Sequence, residues 1–270
     1  MKQVLVSHVK ENKTQLAKRL GISRGMLYYK HRQSKEDERI RDLIKDVLTL
    51  NPAYGHKRIA LDLKLNKKRI LRVMKLYGIK PYRRRAKRPV KQDDIGKLPS
   101  QFKNQIETFC PISQLIVWVG DFTYLNFHGK FYYLATSMDL FTREIVGWSF
   151  SDHHNSQLVV DAFVDGNRKT KRSPAYFHSD QGSEYDSRIY QVLVASQNTI
   201  ISMSRKGHPW ENGFQESFYS QFKLEFGDPN RFEDLGQLLE SISQMLFYYN
   251  HNRIHTSLKT SPVKFRLLNT

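Results

Sequence analysis

Three consecutive stretches rich in β-branched and aromatic residues, LIVWVGDFTYL (115–125), KFYYLATSMDL (130–140) and REIVGWSFS (143–151), are separated by breaks as short as HGK and FT. Runs of that composition read as strands, and connections that short allow only antiparallel neighbours. The texture then changes. NSQLVVDAFVDGN has helical spacing, AYFHSD reads as a fourth strand, a helix follows near 186–197, and NTIISMS reads as a short strand. Two longer helical stretches, PWENGFQESFYSQFKLEF (209–226) and FEDLGQLLESISQMLFYYN (232–250), follow.

Three strands and then helix and strand in alternation is the order of a ribonuclease H-like α/β fold, a mixed sheet flanked by helices. That order places the acids. Asp121 lies in the first strand between Gly120 and Phe122, where an unpaired carboxylate is costly to bury. Asp180 ends the fourth strand, where HSDQGSEY (178–185) breaks from an apolar run into Gln, Gly and Ser. In such a sheet the first and fourth strands are neighbours, so the two carboxylates can meet. A third acid comes from a helix. Phe214, Phe218, Phe222 and Phe226 recur every four residues and predict a stripe packed on the sheet. Glu216 stands about 200° from Phe214 and points off that stripe, and Lys223, two turns on, shares its face. Gly227 and Pro229 stop the helix. Three carboxylates in one place repel unless cations lie between them, and oxygen-only ligation suits Mg²⁺ or Mn²⁺. Two such ions, about 3.5 to 4 Å apart, suit an in-line phosphoryl displacement.

Charge is divided unevenly along the chain. The whole carries 44 Lys and Arg against 26 Asp and Glu, a net +18. Residues 1–100 hold 28 of the bases and 9 of the acids, a net +19, which leaves 16 and 17, a net −1, for the rest. The basic third therefore expects a polyanion. Its first segment, TQLAKRLGISRGMLYYKH (14–31), reads as helix, Gly21 turn and helix, with Leu16, Ala17 and Leu20 on one face and Ser23 as N-cap. In a helix-turn-helix the second helix carries the polar contacts, here Arg24, Tyr28, Tyr29 and Lys30. A second helical pair over 54–79 has Ile59, Leu63, Ile70, Val73, Met74 and Tyr77 as its expected core. Lys57, Arg58, Lys67, Lys68, Arg69, Arg72 and Lys75 are expected to face outward, opposed within the segment only by Asp62, which favours phosphate contact. PYRRRAKRPVKQDDIGKLPSQ (81–101) joins prolines to Arg83, Arg84, Arg85, Lys87 and Arg88 and reads as a linker or extended arm along DNA.

The expected organisation is a helical DNA-binding region over 1–80, a basic linker over 81–107 and a catalytic core over 108–270. Cys110 is the lone cysteine, so neither a disulfide framework nor a multi-cysteine zinc module is available. No apolar run reaches the ~18 residues of a membrane span, and the basic N-terminus is too polar for a signal peptide. A cytoplasmic, nucleoid-associated protein is expected.

WVGDFTY, HSDQGSEY, SMSRKGHPWENGFQESFYSQFKLE and YYNHNRIHTSLKTSPVKF resemble the catalytic core of bacterial insertion-sequence transposases of the retroviral-integrase superfamily. The similarity is to the group with two overlapping reading frames whose second frame encodes this core. Thirty-five residues separate Asp180 from Glu216, the spacing of that family's Asp-Asp-35-Glu signature. YGHKRI and NKKRILRVMKLYGI are similar to the helical region preceding the core. The resemblance implies that Asp121, Asp180 and Glu216 are catalytic and hold two Mg²⁺ or Mn²⁺ ions, with Lys223 as a DNA contact. It implies cutting at the 3′ ends of an element and joining of the freed ends to DNA. The partners implied are double-stranded terminal repeats and target DNA, and a homodimer or larger assembly on paired ends. No leucine-heptad run is present, which reads as a second-frame product and makes the first-frame protein of the same element a candidate partner. Two departures, Asn212-Gly213 for Asn-Ala and WEN for a more usual Asp-Asn, remove no ligand. His178 and Asn212 sit within the motifs and equally suit loop orientation. Asp139 is expected to be a buried structural acid, and Glu211 to be explained by the helix dipole. Asn250, Arg253 and His255 either touch DNA or close the domain. Two alternatives share these features: a ribonuclease H-like nuclease or resolvase, unable to join a pre-cut end, and a DNA-binding regulator of transposition without catalysis.

Overall fold

Alternation along the first strand decides how the sheet is covered. In the computed structural model, which describes residues 12–28, 34–83, 101–107, 111, 113–205 and 208–269, β1 spans Val117–Phe127. Val117, Val119, Leu125 and Phe127 face one helical layer, while Trp118 and the half-buried Phe122 face the other. β2 (Lys130–Asp139) and β3 (Ile145–Ser151) complete the antiparallel meander, and β4 (Tyr176–Ser179) and β5 (Ile200–Met203) extend it in parallel. The sheet order is β3-β2-β1-β4-β5, the mixed order expected of a ribonuclease H-like sheet.

Two helical layers enclose it. α6 (Ser156–Thr170) and α7 (Arg188–Ser196) cover the Trp118 face, with Phe163, Tyr190 and Val194 fully buried. α8 (Gly213–Phe226) and α9 (Leu235–His251) cover the other, contributing Phe218, Phe222, Phe226, Ile242 and Leu246, and α10 (Pro262–Leu268) follows.

The N-terminal part is helical throughout its described residues. α1 (Lys13–Leu20) begins at Asn12, whose side chain accepts the Thr14 amide, and stops at Gly21 in the left-handed region at φ 63°. α2 (Arg24–Tyr28) is only five residues long. Leu16 and Ala17 are buried as expected, but Leu20 is exposed. The sequence reading overlooked α3 (Ser34–Leu50), although Ile40, Ile44 and Val47 already show the spacing of a buried face. These three pack with Ile59, Ile70, Val73 and Met74 of α4 (His56–Asp62) and α5 (Lys67–Leu76), with Leu63 and Tyr77 half-buried against them.

α3 also changes the reading of charge. Arg72 donates two hydrogen bonds to Asp37, at 2.7 and 2.5 Å, and Arg69 lies 3.5 Å from Glu36. Asp62 is thus not the sole counter-charge to this basic segment. Arg58 does not face outward either: its side chain is 16% exposed, lies over the Tyr54 ring and approaches Glu225 of α8. The helical part is seated on the sheet part there. Tyr54 Oη accepts the Ile254 amide at 2.8 Å, and Tyr248 bonds Asn51.

One close approach tests the packing. A methyl group on Gly147 of β3 would stand 2.2 Å from the Ala162 carbonyl oxygen and 2.4 Å from the Gly166 nitrogen. Both are backbone atoms of α6, which cannot rotate away. Gly147→Ala is expected to destabilise the chain by about 3 kcal/mol, whereas Gly213→Ala, whose methyl meets nothing within 4 Å, should be neutral or gain up to about 1 kcal/mol. Denaturant midpoints of the two variants check this ordering.

Candidate active site

The register of two parallel strands places the first two acids. β1 and β4 pair with Val119 opposite His178. Continued by two residues past the paired segment, that register carries Asp121 towards Asp180. Asp180 lies just beyond the last residue of β4, and its Oδ1 accepts the Gly182 amide at 3.0 Å. That local turn ends the strand and leaves the carboxylate exposed. Asp121 is half-buried and its Oδ1 accepts the Phe122 amide at 2.8 Å.

The third acid arrives on α8, which polar side chains fasten to β1. Asn212 donates to the Gly120 carbonyl at 3.3 Å, and Gln215 donates to the carbonyls of Val119 and Thr136 at 2.6 and 3.2 Å. Thr136 donates back to Gln215, and the Tyr219 hydroxyl donates to the Asp121 carbonyl at 2.7 Å. Residues 212, 215 and 219 form one face by helical spacing, so this face lies flat on the strand that carries Asp121. Glu216, one residue past Gln215, turns about 100° away and is exposed. Lys223 lies on the same side, with its ammonium 4.4 Å from the centre of the Tyr124 ring.

Electrostatics shows that these groups share one region. The carboxyl of Asp121 is pushed up to about 7, mainly by burial and next by Asp180. Glu216 adds a smaller push, while the Phe122 amide and Lys223 pull the other way. Among the described residues, no set of three His, Cys, Asp or Glu side chains is already arranged as an ion cage. What the electrostatics does show is that Asp180 and Glu216 each bear on Asp121.

Other expectations sort themselves by contact. Phe218, Phe222 and Phe226 pack on the sheet, but Phe214 is 44% exposed and stacks with Arg143, because the buried Gln215 occupies the place expected of it. Asp139 is structural: it accepts the amides of Leu115, Phe141 and Thr142, and burial raises its pKa against those bonds. His178 is buried against Ser202, and burial pushes it down to about 4, so it sits neutral in the floor of the sheet. Glu211 is more than a dipole partner. It accepts from Arg205 and Asn104 and ties the segment before α8 to residues 101–107. Asn250 bonds both backbone groups of Ile145, and Arg253 forks onto Glu225, so these two close the domain. Sequence reasoning missed Gln215 and Tyr219, whose signal was their helical spacing from Asn212. It also missed buried Glu184, bonded to His154 beside the Asp180 turn.

Of the expected DNA contacts, Arg24, Lys57, Lys67, Lys68 and Arg83 are exposed on the helical part, Arg69 is half-exposed, and Arg58 and Arg72 are engaged as described above. Lys30, Arg84, Arg85, Lys87, Arg88 and Cys110 lie outside the described residues.

Comparison with known proteins locates the chain among relatives. Two integrase core domain profiles match residues 113–209 and 197–262, together 150 of the 270 residues and including Asp121, Asp180, Glu216 and Lys223. A 31 kDa protein of insertion element IS600 from Shigella sonnei is 30% identical over 91% of this chain and 95% of its own length. The chain belongs to the insertion-sequence transposases with an integrase catalytic core. The transposase of element IS904 from Lactococcus lactis is 38% identical over 57% of this chain, a match spanning 62% of that protein. The putative IS150 transposase InsK of Escherichia coli is 25% identical over 91% of this chain and 90% of its own length. Among solved structures, the HTLV-2 integrase catalytic core in complex with magnesium is similar at 17% identity and a TM-score of 0.48, covering 57% of this chain and 98% of that one. No described helix of the transposase is long and apolar enough to cross a membrane.

The crowding at Asp121 has a measurable sign. Native Asp121 keeps its proton to about pH 7 while the unfolded chain releases it near 3.8, so it lowers stability as pH rises through that window. Asp121→Asn, which mimics the protonated form, should gain about 4 kcal/mol over the parent at about pH 8. The gain should vanish below the unfolded pKa of 3.8, as urea titrations across the range will show. Gln215→Ala should cost about 2 to 4 kcal/mol by leaving buried partners unsatisfied, against less than about 0.5 for Glu216→Gln on the exposed face. Equal costs for these two variants would remove Gln215 as the anchor of α8.

Proposed function

We propose that this transposase cuts the 3′ ends of its element and joins them to DNA by two successive phosphoryl transfers, with Asp121, Asp180 and Glu216 as the catalytic acids. The observation that supports this reading is that the charges of Asp180 and Glu216 both bear on Asp121, whose carboxyl is raised to about 7 by burial first and by these neighbours next. An anionic group of that kind, made only of oxygen donors, fits Mg²⁺ or Mn²⁺, and a cation there would stabilise the ionised form. Asp121, Asp180 and Glu216 would hold the ions. When bound, divalent ions supply charge neutralisation on the phosphoryl group and orient the attacking and leaving oxygens.

The chain supplies placement. Asp121 is fixed by the sheet, Asp180 by its turn, and Glu216 by the bonds of Asn212, Gln215 and Tyr219 to β1. An array held this firmly does not have to reorganise as negative charge shifts among the oxygens of the phosphoryl group. Lys223, on the same side of α8 as Glu216, is suited to a non-bridging phosphate oxygen near the cut bond. The exposed bases Arg24, Lys57, Lys67 and Lys68 suit the helical segment up to residue 80 to backbone contact with double-stranded terminal repeats. The core from residue 108 onward carries the chemistry. Joining two ends calls for at least a dimer on DNA, and the first-frame protein of the same element is a further candidate partner.

Asp180→Asn and Glu216→Gln are each expected to lower cleavage and strand joining by at least about 10³-fold, while DNA binding stays within a few fold. Paired element ends incubated with Mg²⁺ and resolved on a denaturing gel give the readout. A variant that still joins ends in Mg²⁺ refutes the assignment, and cleavage without joining of a pre-cut 3′-hydroxyl end replaces it with a nuclease.

A further inference from the structure

Beyond Asp121 the sheet is covered on one side only. Thr123, Leu125 and Phe127 of β1 are buried on the side of α8 and α9, whereas Tyr124 and Asn126, which alternate with them, are exposed. The uncovered side carries rings. Register pairs Tyr124 with Tyr133 and Asn126 with Phe131, so Phe122, Tyr124, Phe131 and Tyr133 share that face. α6 and α7 pack on the same face at Trp118 and Ala135 and leave Phe122 and Tyr133 only partly buried. Tyr124 is 60% exposed and Phe131 49%.

These rings are contiguous. Tyr124 and Phe131 meet edge to face with centres 5.6 Å apart, and Phe122 and Tyr133 do so at 6.4 Å. His154 lies parallel to Phe122 and 4.8 Å from Tyr133, and its Nδ1 donates to Glu184 at 3.0 Å. Single exposed rings are ordinary on a protein surface, but a contiguous group of five marks a binding face.

The position of the group points to its occupant. Phe122 donates its amide to Asp121, and the Lys223 ammonium, which bears on Asp121, stands 4.4 Å from the centre of the Tyr124 ring. At the other end His154 is tied to Glu184, next to the turn that Asp180 makes with Gly182. A DNA strand with a phosphate at the acids therefore runs on along the rings. Paired bases present only their edges, whereas an unpaired base presents its flat face. Same-face residues of one strand stand about 6.8 Å apart, twice the roughly 3.4 Å step of a duplex strand. Splayed bases match that spacing and stacked duplex bases do not.

We infer that this aromatic face is a stacking platform for unpaired bases of the DNA strand next to the scissile phosphate. The assignment rests on the carboxylates being where DNA is cut, as proposed above. Stacking tolerates any sequence because every base has such a face, so the platform holds a strand end without reading it.

The probes that test this are a labelled oligodeoxythymidine and a strand of the same length built from abasic sugars. Each is titrated by fluorescence anisotropy against the full chain without divalent ions, so that no strand is cut. Both strands carry the same phosphates, and only the first has bases to stack. The parent should bind the base-bearing strand at least about tenfold more tightly than the abasic one. Tyr124→Ala combined with Phe131→Ala should remove most of that preference. Affinity for the abasic strand and its salt slope should stay as in the parent, because neither substitution changes charge. Tyr124→Phe, which keeps the ring, should keep the preference, and Tyr124→Ala alone serves if the double variant does not fold. A parent that binds both strands equally overturns the platform, as does a double variant with the parent's preference. Loss of self-association in the double variant with the base preference intact also overturns it, in favour of an interface between copies of the chain. Asp180→Asn should retain the preference and lose cleavage. If that variant still cuts, the catalytic assignment falls while the stacking result stands, so the two failures are distinguishable.

Discussion

The attachment of α8 to β1 through Gln215 and Tyr219 is the interaction on which the site depends. A helix packed only by phenylalanine could slide or roll by a fraction of a turn at little cost, because apolar contact is not directional. Hydrogen bonds to the carbonyls of Val119 and Asp121 remove that freedom. They are buried, so losing one leaves polar groups that water cannot reach. The same bonds that stabilise the fold therefore set the distance and angle of Glu216 relative to Asp121. Stability and positioning are one constraint in this region.

That constraint keeps Asp121 within the influence of Asp180 and Glu216. Asp121 is the member that yields, since it alone of the three is partly buried and desolvation adds to the charge of its neighbours. Asp180 and Glu216 remain in contact with water. The surrounding sheet, with Val117, Trp118 and Val119 fully buried beneath the site, is what keeps this arrangement from relaxing.

Much of this was legible in the sequence, for identifiable reasons. Strand order followed from composition and short connections, and strand order brings Asp121 towards Asp180. The helical position of Glu216 relative to Lys223 needed only the pitch of a helix. Phe214 was misread because a four-residue repeat drifts around a helix, and the true face is completed by a polar residue, Gln215, that hydrophobic periodicity cannot select. Arg58 was misread because outward and inward cannot be told apart until α8 supplies Glu225 as a partner, whereas Arg72 does reach solvent and only its pairing with Asp37 of the overlooked α3 was unforeseen. Long-range ion pairs leave no local signature.

The stretch YNHNRIH shows how such long-range terms accumulate. Asn250 takes both backbone groups of Ile145 on the edge strand, Arg253 forks onto α8, and the Ile254 amide reaches Tyr54 of the helical part. Three residues within a span of five therefore bind sheet edge, α8 and N-terminal helices. Arg253 is 2% exposed and too enclosed to act as a free surface cation, and it occupies Glu225, which stands 3.9 Å from Arg58. A residue that closes the domain thus also sets the charge its neighbours meet, since after burial it lowers the pKa of Arg58 and His255, which is why its structural and electrostatic roles cannot be separated by position alone.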